Sequence, residues 1–338
     1  MHFAVDAACA GIIFSSLSSS NENLANFAYL VLLYNVLAFG FQLPFGWIAD
    51  KTKKPKEIAF IGIILTATAI FLSPSWIAAA ISLAGIGNAM FHIGGGVISL
   101  NLNPKKASAP GLFVAPGAIG LLFGILAGKL GFFNNFVFAS MLFAPATLAL
   151  FLAQPKYAYS HSEVLDQKKA NLLTIALMLL LLAIAARSFI GFAMAFPWKN
   201  NTQLLWALVG CIALGKAIGG MLGDRLGWIK LGVTGLLVSA PLLYLGWDFA
   251  FLGIFGALLF NMTMPITLVA IANLLENRPG LSFGLACTAL LAGALPFFTD
   301  FGKLFGNKEV IFFSVLVSAL VLLFALKLYE RIINPEDS

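Results

Sequence analysis

Four ionisable side chains lie inside long apolar runs of this 338-residue sequence: Asp6, His92, Arg187 and Lys216. Runs of that length are typical of helices that cross a membrane. By insertion scales, an ionisable group at the centre of such a helix costs about 2.5–3.5 kcal/mol, so each of the four needs a physical reason. The chemistries open to them are proton exchange and recognition of a charged solute.

Asp6 and His92 are the candidates for proton exchange. A partly desolvated carboxyl takes and loses a proton near neutral pH, as coupling to a proton gradient requires. The alternative for Asp6 is an interfacial residue at a helix start, where free N–H groups favour a carboxylate. His92 lies beside Phe91 and Asn88 and either carries protons, contacts a solute or only packs.

Arg187 and Lys216 are the candidates for solute recognition. Arginine does not lose its charge, and no acid accompanies Arg187 in its own segment. Its guanidinium binds a carboxylate or phosphonate through two hydrogen bonds, which predicts an anion site; the alternative is a structural pair with an acid such as Asp6. Lys216 either lines the site or extends to the aqueous interface. Neutral groups that add candidate lining are Tyr34, Asn35, Gln42 and Asn261.

The rest of the chain supplies the elements that position these residues. Hydrophobic residues make up 60% of it, charged residues 10%, and the mean hydropathy is +0.96, which predicts lipid as the solvent. We predict an all-α polytopic membrane protein with residues 1–153 as a six-helix half, 154–170 as a cytoplasmic linker and 171–338 as a second half. The apolar segments are 3–19, 25–49, 57–73, 75–100, 110–129, 132–153, 171–195, 202–222, 229–246, 249–274, 281–299 and 308–328.

The basic residues predict the orientation. One set of alternate loops holds fourteen lysines and arginines and the other holds four. The positive-inside rule therefore predicts that both termini and the linker are cytoplasmic. This topology accounts for the formal net charge of +6 without a nucleic-acid partner. The N-terminus lacks the basic region of a signal peptide, so we expect its helix to be retained.

A polar turn occurs twice, once in each half. Each copy follows an apolar run and places an aspartate before basic residues. We predict that Asp50 and Asp224 latch the cytoplasmic side, each pairing with a basic residue or a helix N-terminus of the opposite half. The alternative is that the turns only set topology. The residues assigned to the latch are Gly46, Asp50, Lys51, Gly220, Asp224, Arg225 and Gly227.

Small residues and proline predict where helices pack closely or bend. Gly117, Gly120, Gly124 and Gly128 line one side of the fifth segment, and Gly215, Gly219 and Gly223 recur in the eighth. This spacing allows close helix contact. The run Gly94-Gly95-Gly96 in the fourth segment and Pro265 in the tenth are expected to loosen their helices.

The two turns resemble the loop signature of the major facilitator superfamily, Gly-x-x-x-Asp-Arg/Lys-x-Gly, although the first copy has Lys53 at the last glycine. Four stretches resemble, more narrowly, the fosmidomycin-resistance-like branch of bacterial efflux proteins. They are His2-Phe3-x-x-Asp6, Gly85-Ile-Gly87-x-x-x-Phe91-His92, Arg187-Ser188-Phe189 and Asn277-Arg278-Pro279-Gly280-Leu281. Ile93 stands where that branch has a proline.

The resemblance implies a secondary active transporter of twelve helices in two pseudo-symmetric halves that work by alternating access. Helices one, four, seven and ten would line a central cavity, and three, six, nine and twelve would face lipid. It implies a monomer in the bacterial inner membrane, driven by a proton gradient and without a cofactor. The solute, the direction of transport and the coupling mode stay open.

Two cations against one acid inside the segments favour a small organic anion as the solute. One alternative is export of amphipathic drugs or lipids, which the 32 phenylalanines permit. Another is a membrane receptor or scaffold that does not transport. An enzyme is not expected, because hydrolase, zinc-protease and phosphate-loop motifs are missing. No metal site is expected either, since Cys9, Cys211 and Cys287 lack metal-like spacing and predict no disulfides.

Overall fold

The structure, a computed structural model, describes residues 1–19, 24–150 and 167–333. Those residues form fourteen α-helices joined by short turns. The helices are α1 (His2–Ser19), α2 (Leu24–Asn35), α3 (Gln42–Thr52), α4 (Pro55–Leu72), α5 (Ile77–Leu102), α6 (Ser108–Lys129), α7 (Asn135–Leu150), α8 (Gln167–Ala193), α9 (Thr202–Leu226), α10 (Trp228–Leu245), α11 (Ala250–Asn261), α12 (Thr263–Leu274), α13 (Pro279–Ala294) and α14 (Lys308–Ile333).

The twelve predicted apolar segments correspond to these helices. Ten helical stretches of described residues are long and apolar enough to cross a membrane, and two shorter apolar helices, His2–Ser16 and Asn135–Ala149, complete the set. Large apolar side chains such as Phe71, Phe136, Leu237 and Phe324 are exposed on the outer helices α4, α7, α10 and α14. A bilayer covers surfaces of this kind, so the chain is an integral membrane protein.

Two of the spans are interrupted. The tenth changes from α11 to α12 at Met262, three residues before Pro265. Proline has no N–H to continue the helical ladder, so the predicted loosening there is confirmed. The second span contains a π-helical turn at Val36–Gly40 between α2 and α3, which the sequence analysis did not anticipate.

The predicted loosening of the fourth span at its three glycines is wrong, because α5 runs unbroken from Ile77 to Leu102. Each glycine faces a packed neighbour. Gly94 lies against Ala59, Gly95 against the Phe113 ring and Gly96 against the Phe283 ring. These contacts hold the helix in place despite the low helix propensity of glycine.

The predicted glycine faces are confirmed as packing faces. Gly120 and Gly124 of α6 approach the backbone carbonyls of Phe3 and Ala7 in α1, while Gly219 of α9 approaches the carbonyl of Met262. Missing side chains let these helices meet at backbone distance. As a result, α1 is held firmly against α6.

We call residues 1–150 the N-terminal half and residues 167–333 the C-terminal half. They meet mainly through α3 against α13 and α6 against α9. Both contacts lie at the end of the bundle that carries the polar turns Asp50–Lys54 and Asp224–Gly227, which we call the turn end. The linker predicted at 154–170 falls mostly outside the described residues, and its last four residues belong to α8, which begins at Gln167.

Candidate functional site

Asp6 is enclosed by polar side chains of its own half. Oδ2 of its carboxylate lies 3.2 Å from Nε2 of His2, and Oδ1 lies 3.6 Å from Nε2 of His92. The Asn88 amide donates a hydrogen bond of 3.0 Å to the same Oδ1 atom. His2, Asp6, Asn88 and His92 therefore form one cluster between α1 and α5, which we call the His–Asp cluster.

The far ring nitrogens of both histidines are fixed by backbone carbonyls. Nδ1 of His2 lies 2.6 Å from the carbonyl oxygen of Phe113, and Nδ1 of His92 lies 2.9 Å from that of Asn88. A carbonyl oxygen only accepts hydrogen bonds, so each Nδ1 carries the hydrogen. Both Nε2 atoms then turn their lone pairs toward the carboxylate of Asp6, and they lie only 2.8 Å from each other.

Three acceptors that face one another repel unless a cation lies among them. A single additional hydrogen on one Nε2 satisfies the arrangement, because it lets that ring donate to the other imidazole or to Asp6. The geometry of the His–Asp cluster thus requires one bound positive charge. The side chains of His92 and Asp6 are 13% and 17% exposed, which leaves the cluster narrowly accessible.

The backbone of α6 closes one side of this cluster. A methyl group on Gly117 would overlap both Nε2 of His2 and Oδ2 of Asp6. Phe113, one turn earlier on α6, supplies the carbonyl for His2, and its ring centroid lies 4.7 Å from that of His2. The position of α6 therefore fixes the geometry of the cluster.

His2 is the site residue that sequence reasoning missed as an individual. It entered only as part of a resemblance, and no role was predicted for it. Its signal was the spacing to Asp6, because residues four apart lie on one face of a helix. Asp6 lies in this cluster, and its partners are in its own half rather than at Arg187; its role as a site residue stays a prediction.

Arg187 lies in α8 of the C-terminal half and is buried, with 8% of its surface exposed. Within the described residues it forms no hydrogen bond or ion pair, although its guanidinium nitrogens keep a small exposed surface. The next residue, Ser188, donates a 2.6 Å hydrogen bond to the Leu290 carbonyl and ties α8 to α13. The helix α8, tied to α13, thus holds the buried Arg187 cation, which no described side chain neutralises.

Lys216 lies in α9 and is half-buried, also without a hydrogen bond or ion pair to a described residue. It is close enough to interact electrostatically with both Arg187 and Asp6. His92 also experiences its charge. Lys216 therefore interacts electrostatically with the His–Asp cluster of one half and with Arg187 of the other.

The neutral groups expected to line the site are bonded within their own helices. The amides of Asn35, Gln42 and Asn261 each donate to the carbonyl four residues earlier. None of these bonds connects them to the charged residues. Phe91 is closer to the site, with its ring centroid 6.0 Å from that of His2.

The two turns make matching contacts across the halves. The carboxylate of Asp50 accepts hydrogen bonds from the backbone N–H groups of Gly280 (2.7 Å) and Leu281 (2.8 Å) at the start of α13. The carboxylate of Asp224 accepts from Ala107 (2.8 Å) and Ser108 (2.9 Å) at the start of α6. The expected pairing with helix N-termini is present; its action as a latch stays a prediction.

In each turn, the glycine four residues before the aspartate contacts the helix N-terminus that the aspartate caps. A methyl group on Gly46 would overlap the carbonyl of Gly280, and one on Gly220 would overlap that of Ala107. Lys51 and Arg225 do not pair with the aspartates: both are exposed, and Nζ of Lys51 lies 5.0 Å from the centroid of the Trp47 ring.

The last position of the turn signature has a positive φ angle in both copies, 57° at Lys53 and 91° at Gly227, whereas the ψ angles differ, 30° and 139°. Glycine adopts such angles without steric cost, whereas lysine does not. The structure thus explains why a glycine ends the turn signature, and it identifies Lys53 as the strained exception.

Solved structures with the same fold were found, although no protein-family model and no curated protein sequence matches the chain. A variant of the E. coli fucose:proton symporter FucP aligns with a TM-score of 0.67 and 12% identity over 98% of this chain and 96% of its own. FucP in the outward conformation gives 0.62 and 11% over 98% of both chains. A bacterial homologue of the iron transporter ferroportin in an outward-facing state gives 0.59 and 15%, again over 98% of both.

Proposed function

We propose, from the major facilitator fold that the chain shares with these structures, that the protein is a secondary active transporter of a small organic anion. The observation that carries the proposal is Arg187, a buried guanidinium without a described protein partner. An uncompensated charge in such a position is costly, and a bound carboxylate or phosphonate neutralises it through two hydrogen bonds. Lys216 adds a second positive charge, on α9.

The His–Asp cluster supports proton coupling. Its three facing acceptors hold one positive charge, and an excess proton is the smallest cation that satisfies them. Since Lys216 interacts with Asp6 as well as Arg187, anion binding in the C-terminal half changes the field at the proton in the N-terminal half. The proton and the anion would influence each other's binding through this electrostatic link at Lys216.

The two aspartate contacts support alternating access. They join the halves at the turn end, which the positive-inside rule assigns to the cytoplasm. We therefore propose that the structure corresponds to an outward-facing state, and that release of Asp50 and Asp224 accompanies opening to the cytoplasm.

One observation favours export of an amphipathic compound as the alternative. An apolar cavity of about 610 Å³ lies within the N-terminal half and reaches the ring of His2. Its wall is mostly hydrophobic and includes Phe60, Ile63, Phe91, Leu112 and Phe113. Such a wall suits an apolar body better than an anionic group.

Thermal stabilisation of the purified protein separates these proposals. The panel contains benzoate, phenylphosphonate, succinate, an amphipathic cation and a neutral detergent-like compound. A ligand that binds the native state raises its apparent stability by mass action. We expect an anion to stabilise the parent and the exposed-charge control Arg225→Ala, but not Arg187→Ala. Equal stabilisation of all three proteins by amphipathic compounds alone would refute the anion proposal and favour the alternative.

A further inference from the structure

We infer that the His–Asp cluster is a binding site for a divalent first-row transition metal ion such as Zn²⁺. The three ligand atoms are Nε2 of His2, one carboxylate oxygen of Asp6 and Nε2 of His92, and all three lie within 4.8 Å of one another. The inference concerns this cluster alone and does not depend on anion transport.

The spacing of the donor atoms fits a tetrahedral ion. Bonds of about 2.0–2.1 Å to nitrogen and oxygen place neighbouring ligand atoms roughly 3.3 Å apart. The observed separations are 2.8 Å between the two Nε2 atoms, 3.2 Å from His2 to Oδ2 of Asp6 and 3.6 Å from His92 to Oδ1 of the same carboxylate. Because the ligand atoms all lie within 4.8 Å of one another, a rotation of the carboxylate with small shifts of the rings brings the three side chains onto one ion.

The surroundings of the ligands fit a metal as well. Histidines that bind metals usually donate their other N–H to a carbonyl or carboxylate, which fixes the ring and its tautomer. Here Phe113 and Asn88 supply those carbonyls, so both lone pairs are already aimed inward. The Asn88 amide holds the Asp6 carboxylate in the same way.

The ligand set also selects the kind of metal. Two imidazoles and one carboxylate suit zinc, iron, cobalt and nickel, whereas calcium and magnesium prefer sites made of oxygen atoms alone. Three protein ligands leave a fourth position open, as in zinc sites that exchange a ligand. The sequence predicted no metal site, because Asp6 and His92 looked isolated in their segments.

The metal and the proton of the proposed transport cycle would occupy the same lone pairs. A bound metal therefore replaces the extra hydrogen rather than joining it. Occupancy of the cluster by a metal ion is tested by binding alone. A separate transport measurement would show whether the ion is transported or inhibits transport.

The test is titration of tag-free, purified protein with Co²⁺, read by its visible ligand-field absorption. The chain has three histidines, and His161, which lies outside the described residues, offers a matched control. We expect the intense bands of four-coordinate Co²⁺ in the parent and in His161→Gln. In His2→Gln and in His92→Gln, affinity should fall more than about 100-fold. Zn²⁺ should bleach the bands and Mg²⁺ should not.

Bands that persist in His2→Gln and His92→Gln, or a parent spectrum identical to aqueous Co²⁺, would overturn the inference. X-ray absorption of His161→Gln with one equivalent of Zn²⁺ covers the case in which the ligand variants do not fold. It should show two imidazoles with bonds of about 2.0–2.1 Å and no sulfur. One imidazole or none, or a sulfur ligand, would contradict the assignment. Neither result affects anion binding at Arg187.

Discussion

The polar residues of the two halves are arranged in opposite ways. In the N-terminal half, His2, Asp6, Asn88 and His92 contact one another at 2.8–3.6 Å. In the C-terminal half, Arg187 and Lys216 form no hydrogen bond or ion pair with a described residue. A self-contained cluster that needs one cation is suited to a small coupling ion. Unpaired cations are suited to a larger anion that arrives with its own acceptors.

Substitutions of Arg187 should have the largest effect on anion binding, because they remove the buried charge that pairs with the anion. They change the C-terminal half and leave the His–Asp cluster intact. Removing one partner of a buried charge-paired contact typically costs about 2–5 kcal/mol, so Arg187→Ala should weaken anion binding about 30-fold or more. Arg187→Lys keeps the charge but loses the two-pronged geometry, and we expect an intermediate affinity. Calorimetric titration with the stabilising anion measures both. Equal affinity of parent and Arg187→Ala would contradict the anion site.

A methyl group at Gly117 should disturb only the N-terminal side. It would overlap His2 and Asp6, which are held by other contacts and have little room to shift. Overpacking of this kind costs about 1–3 kcal/mol. Gly210→Ala in α9 is the matched control, because no atom lies near its added methyl group. Gly117→Ala should lower thermal stability and proton coupling while anion affinity changes little; unchanged coupling would show that the cluster is not involved.

The latch prediction compares the two turns with each other. Asp50→Ala removes a carboxylate that accepts two backbone N–H groups, and the loss of such a cap costs about 0.5–2 kcal/mol. The change should favour opening of the whole turn end, including the distant second turn. Spin labels at Lys106→Cys and Arg225→Cys, in a variant without native cysteines, report the distance across that second turn. An unchanged distance distribution would mean that the aspartates only set topology.

The smallest effect concerns the strain at Lys53. A left-handed backbone costs a non-glycine residue roughly 1–2 kcal/mol, so Lys53→Gly should raise the melting temperature by a few degrees. Gly227→Ala should lower it, because alanine does not readily adopt the φ of 91°. Thermal unfolding in detergent measures both. The same sign of change in both variants would refute the idea that the positive φ angle at each of these two positions favours glycine.

The sequence predicted the fold well because lipid imposes simple constraints. Spans need about 20 apolar residues and their loops need polar ones, so helix boundaries can be located from the sequence: Pro74 and Pro104 follow the ends of α4 and α5, and Pro279 begins α13. The turn aspartates were equally easy to identify from the sequence, since the turn motif occurs once in each half. The run Gly94–Gly96 misled because local propensity ignores the Phe113 and Phe283 rings that pack against it.

The candidate site was harder to predict from the sequence, because it depends on which faces of the helices pack against one another. Asp6 and His92 are 86 positions apart and meet only through the packing of α1 against α5. His2 is held by the backbone carbonyl of Phe113, and residue types alone do not predict a contact to a backbone atom. For Asn35, Gln42 and Asn261, residue type suggested lining, whereas their side-chain N–H groups donate to carbonyls of their own helices.

Transport by reconstituted vesicles tests whether the two halves bind two different ions. The substrate is the radiolabelled anion that stabilises the parent most strongly. The assay compares accumulation driven by a pH gradient with exchange at equal pH. We predict that Asp6→Asn loses driven accumulation but keeps exchange, whereas Arg187→Ala loses both. Normal driven accumulation in Asp6→Asn, or normal exchange in Arg187→Ala, would contradict this division between the halves.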